Sequence, residues 1–250
     1  GDFRQTLVEA TGGEPAIAQA PVVLAMTSTF WRNAWRYKAR AYRHTYWDAG
    51  TSLSHVLATA AAVNLPTRLV LGYADAPVNA LLGVDGEREA TVALCAIGRD
   101  TAPAPAAPEV TPIDYPTRPI SPREVVFPAI PAMHAASTLA SGEEATAWRA
   151  DPLRRTPPEP QGRLIPLEPL APEDLPDAPI EEIIFRRRST RHYDTEVEIS
   201  FTAFSTLLDR SSRGFAADCL APGAPSLHDS YLIINGVEGL APGVYLHHRD

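Results

Sequence analysis

The densest group of residues able to do chemistry is RRRSTRHYD at residues 186–194, where four arginines and a serine hydroxyl fall within six positions. Arg187, Ser189 and Arg191 alternate, so an extended chain would turn all three to one side. Guanidinium groups give paired, planar hydrogen bonds to phosphate oxygens, and a serine hydroxyl adds a third donor. The tract therefore reads either as a phosphate cradle or as a solvated basic helix end, and spacing alone does not choose between them.

Other candidate groups are thinner. His247 and His248 are adjacent, but no carboxylate or cysteine stands at metal-ligand spacing, so no metal is expected. The stretch VDGERE at residues 84–89 begins like a calcium loop but lacks its spaced acids and closing Glu, and it reads as a turn. Trp35, Tyr42, Tyr46 and Trp47 cluster around a helix start, with core packing favoured over substrate stacking. His44 and His192 lie beside arginines and are candidate pocket residues.

The chain has 250 residues, 45% hydrophobic and 21% charged, which is ordinary for a globular protein. A net charge of -8 argues against a general nucleic-acid binder. No apolar run reaches membrane-span length, so no membrane contact is expected. Cys95 and Cys219 stand far apart, which fits a reducing, cytoplasmic setting better than a disulfide framework. The chain opens at Gly1 without a signal-peptide pattern and reads as a segment of a longer protein.

Proline marks the organisation. Of 25 prolines, only seven lie outside residues 101–180, a density that defeats long helices and central strands. Residues 101–178 therefore read as a connector, with one short helix near 133–150 in its proline-free stretch. Before it, strands are predicted over 21–27, 67–73 and 90–98. Helices are predicted over 48–64, with Asp48 as N-cap, and over 76–82. After it, helices are predicted over 180–188 and 200–211, and strands over 230–235 and 243–247. The mixture indicates an α+β or α/β fold.

R-x-S-x-R followed by an aromatic residue and an acid resembles a motif of the nitroreductase superfamily. SFTAFSTLLDRSSRG and SYLIINGVEGLAPGVYLHHRD resemble the helix and strand pair that follow it there. The tract VEGL-x-PG-x-Y is similar to the SagB-type branch, the azoline dehydrogenases. WRYKARAYRHTYWDAG, LVLGY and LLGVDGEREATVALCAIG resemble that fold's closing elements. The resemblance implies a nitroreductase-like α+β fold, with a central, mainly antiparallel sheet flanked by helices, and FMN as cofactor. Residues 1–100 would be the C-terminal half of one repeat and residues 179–250 the N-terminal half of a second.

By the same resemblance, Arg187, Ser189 and Arg191 hold the FMN phosphate, and Gly72 lies at the reactive edge of the flavin, where a missing side chain permits close approach. Tyr37 takes the catalytic tyrosine position, and Arg36 stands where the family has lysine. Arginine stays charged and makes a poor general base, but it can stabilise a reduced flavin anion. The implied activity is hydride transfer through flavin N5, on a small-molecule or peptide substrate with NAD(P)H as a possible donor, in a homodimer or an intrachain pseudo-dimer. The competing reading is a degenerate repeat that serves as a structural or docking partner in a peptide-modifying complex.

Overall fold

Three apolar runs of the first hundred residues form one antiparallel sheet: β1 (Val22–Thr29), β2 (Thr67–Val70) and β3 (Glu89–Ile97), in the order β1-β3-β2. The computed structural model describes residues 1–100, 102–111, 113, 116, 121–151, 156, 158–221 and 227–249. These divide into two units, Gly1–Pro152 with Ala216–Cys219, and Leu153–Phe215 with Leu220–Asp250.

In the first unit β3 is central because its sequence, EATVALCAI, can be covered on both faces. Every residue from Ala90 to Ala96 is buried. β1 is an edge strand, half-buried, with a register shift between Met26 and Thr27. Beyond β2 the chain returns from far away. Leu69 N–H donates to Ala216 O at 2.9 Å and Asp218 N–H to Leu69 O at 3.0 Å, a parallel bridge centred on Leu69 and Ala217.

Seven helices of this unit are described: α1 (Arg4–Ala10), α2 (Pro15–Gln19), α3 (Trp31–Tyr37), α4 (Ala41–Ala62), α5 (Asp75–Leu82), α6 (Ala129–Ala135) and α7 (Gly142–Ala150). Leu7, Ile17, Val70, Val78 and Leu94 join α1, α2 and α5 to the sheet. Phe30, Ala34, Ala41, Ala90 and Ile130 join α3, α4 and α6 to it.

Two sequence readings shift. The helix expected from Asp48 begins at Ala41, and Asp48 is inside it, its carboxylate accepting from Asn33 Nδ2 at 3.0 Å. Nothing in YRHTYWD breaks a helix, so α4 runs back to a 3-10 turn at Lys38–Arg40. The expected helix near 133–150 is two helices. Between them Leu139 N–H donates to the Asp75 carboxylate at 2.8 Å and Asp75 N–H donates back to Leu139 O at 3.1 Å. Ser141 then caps α7, its Oγ accepting from Glu144 N–H. α7 approaches α1 so closely that a Cβ on Gly12 or on Gly142 would collide with the other's backbone.

The second unit holds α8 (Ile180–Arg186), α9 (Phe201–Ser211) and an antiparallel pair, β4 (Ser230–Ile234) with β5 (Gly243–His247). Ser200 Oγ caps α9 by accepting from Ala203 N–H. Phe204 and Leu208 of α9 bury against Ile234 and Val237, with Leu167 packed beside them.

Candidate functional site

The basic tract begins where α8 ends. Arg187 is the C-cap residue, with φ -58 and ψ 133, and its N–H donates to Ile183 O at 2.9 Å. Residues 187–194 then continue without helix or strand. Arg187, Ser189 and Arg191 are all exposed. Among the described residues their side chains meet no hydrogen-bond or ion-pair partner, whereas Arg188 Nη1 is spent on Phe185 O and Arg187 O. Three uncommitted donor groups within five residues suit a phosphate. The same unit contains a cavity of about 490 Å³ between residues 163–167, α9 and the β4–β5 pair, and none of the three lines it.

Arg36 and Tyr37 close α3 in the first unit. Lys38 follows with φ 53 and ψ -140, a conformation L-residues rarely adopt, and the chain turns there into α4. The Tyr37 ring stacks on His44 with centroids 3.9 Å apart, and the Arg36 guanidinium lies 5.6 Å from its centre. His44 meets the edge of Trp47 at 4.8 Å, and Arg40 lies 6.0 Å over Trp47. The result is a surface ladder of cations and rings. Core packing describes Tyr42, which meets Phe30, but not Trp35 and Trp47, which are 69% and 50% exposed.

Gly72 is buried, and its surroundings are the chain's own. Its N–H and that of Leu71 donate to the Asp218 carboxylate at 2.9 and 2.8 Å, and its carbonyl accepts from Arg149 Nη1 at 2.8 Å. The expected strand over 67–73 accordingly stops at Val70, because the next two amides turn to a side chain instead of a neighbouring strand. Residues 187–191 thus have donors to offer, while the polar groups around Gly72 are paired with one another.

Sequence reasoning missed two polar clusters of the first unit. In one, Arg149 reaches Thr11 O, Glu14 at 3.5 Å and Asp218 at 3.9 Å, and Glu14 also meets Arg68 at 3.4 Å. In the other, Tyr46 and Tyr42 share a hydrogen bond of 2.8 Å, and the Tyr42 hydroxyl meets His134 Nδ1 at 3.3 Å. Burial holds the His134 imidazole below its usual range, with nearby Asp75 opposing the shift, and burial raises the Asp75 carboxyl. Burial and the Tyr42 hydrogen bond push the Tyr46 phenol up. No local pattern announces either cluster, since Gly72 and Asp218 are 146 positions apart. Among the described residues no three His, Cys, Asp or Glu side chains gather as a metal site, and no helix is long and apolar enough to cross a membrane.

Residues 2–99 match the model of the Nitroreductase family. None of the curated proteins matches the chain. A crystal structure of a protein provisionally assigned as a nitroreductase, from Anabaena variabilis, superposes with a TM-score of 0.65 at 23% identity. The match covers 98% of this chain and 50% of that one, so the chain spans half the length of the protein it resembles. The fold is nitroreductase-like, α+β with antiparallel strands and helices, as the resemblance implied.

Proposed function

We propose that the chain is part of an FMN-dependent oxidoreductase of nitroreductase type, with Arg187, Ser189 and Arg191 holding the cofactor's phosphate. The observation that carries this reading is that all three side chains are exposed and, among the described residues, without a partner, in a chain whose residues 2–99 match the family model. Bound flavin would supply hydride transfer at N5. Tyr37 and Arg36 would face the substrate, a small molecule or a peptide, with NAD(P)H as donor. Arg36 would stabilise negative charge without acting as a base, since a guanidinium keeps its proton.

The proposed parent is a SagB-type protein with two tandem repeats forming an intrachain pseudo-dimer. Coverage of nearly all of this chain by half of a solved one supports that arrangement. Buried, free Cys95 and Cys219 agree with a cytoplasmic setting. The docking-partner reading draws on one observation, the occupied surroundings of Gly72.

The test is an FMN titration of the purified chain followed by flavin absorbance. Retained yellow colour is expected, and Arg187→Ala with Arg191→Ala should cost on the order of 3 kcal/mol of affinity. A colourless protein that takes up no FMN would leave the docking-partner reading standing instead.

A further inference from the structure

Where β2 ends, everything a flat ligand would need is already taken. A heterocycle edge bound at Leu71 and Gly72 would use their two amides as donors and would lie against the bare Cα of Gly72. Both amides are paired with the Asp218 carboxylate, one to each oxygen. The open direction at Gly72 is filled by the Trp148 ring. A Cβ there would stand 2.8 Å from Trp148 Cε3 and 3.2 Å from Asp218 Oδ2.

The groups that close this corner are fixed from several sides. The Asp218 side chain is fully buried, and its backbone is bridged to β2 through Leu69. A buried carboxylate with two amide donors and a guanidinium at 3.9 Å is a satisfied one. Trp148 and Arg149 sit on α7, which docks on α1 through Gly12 and Gly142, through buried Ala145, and through Thr146 Oγ1 donating to Gly12 O. Arg149 spans the gap, reaching Gly72 O, Thr11 O and Glu14 together.

We infer that the Gly72 corner is a polar lock that excludes a planar ring. The Asp218 carboxylate stands where the acceptor atoms of a ligand would stand, and Trp148 stands where its ring would lie. A flavin bound to this chain therefore takes no hydrogen bond from the Leu71 or Gly72 amide. Flavin as the ligand rests on the function proposed above, while the lock stands on its own geometry.

Amide exchange and chemical shifts measured by NMR on the full chain test the lock. Leu71 and Gly72 amides should exchange slowly, and saturating FMN or riboflavin should leave their shifts unchanged. Gly72→Ala should lower the unfolding midpoint by about 4 °C or more, and by less than half as much when combined with Trp148→Ala, because removing the ring makes room for the methyl. Asp218→Ala should speed exchange at both amides about tenfold or more if the variant folds. Fast exchange at both amides in the unaltered chain, equal Gly72→Ala penalties with and without Trp148, or a flavin-induced shift at both amides would each overturn the lock. Failure of every variant to bind FMN would count against the flavin reading, with exchange and the mutant pair still deciding the lock.

Discussion

The Gly72 corner and the tract at residues 187–191 are opposites in how they use polar groups. At Gly72 two amides, a carbonyl, a carboxylate and a guanidinium satisfy one another, and a tryptophan ring fills the space beside the Gly72 Cα. At 187–191 two guanidinium groups and a hydroxyl are exposed and pair with nothing among the described residues. A buried polar group left unpaired is costly, so the first arrangement belongs to folding. An exposed cationic group costs little when unpaired and is available to a ligand, which is why the proposed function puts the phosphate there.

That contrast can be broken most forcefully from the closed side. Asp218→Ala strips the Leu71 and Gly72 amides of their acceptor and removes one of the two carboxylates beside Arg149, and should lower the stability of the first unit by about 3 kcal/mol in urea unfolding. A loss under about 0.5 kcal/mol would show that the corner is not part of the folding core. Ser141→Ala removes the cap of α7, the helix that carries Trp148 and Arg149, and should cost about 1 kcal/mol in the same assay. On the open side, Arg187→Ala with Arg191→Ala should leave stability within about 0.5 kcal/mol of the parent chain, because both side chains are exposed and lose no hydrogen bond or ion pair among the described residues. A larger loss would mean that those arginines serve the fold.

A pH series sharpens the same contrast. The folded chain favours neutral His134, whose pKa is held below its ordinary 6.5. Its contribution is complete above that value and is lost as pH falls from there through the depressed value, when the imidazole takes a proton that the unfolded chain binds more readily. Unfolding midpoints should therefore drop on acidification below about 6.5. His134→Gln, neutral at every pH, should flatten that slope, and an unchanged slope would remove His134 from the account.

Much of the frame was legible in the sequence because it rests on local patterns. Alternating and continuous apolar runs marked the strands at 22–29, 89–97, 230–234 and 243–247 to within a residue or two. The Leu65-Pro66 pair ended α4 near the expected place, since the residue before a proline avoids the helical region. Elements set by distant partners were not legible. β2 is short because Asp218 captures its next amides, and α6 and α7 are separate because Asp75 captures Leu139. The arginines and serine of the basic tract were plain in the sequence, whereas Asp218, Arg149 and Trp148 carry no motif and converge only in three dimensions.

Comparing FMN with riboflavin on the unaltered chain tests the phosphate grip most directly, because the two ligands differ only by the phosphate. Gripped by two guanidinium groups and a hydroxyl, FMN should bind on the order of 100-fold more tightly than riboflavin at low salt, the advantage shrinking as salt is raised. Equal affinities for the two flavins would contradict it.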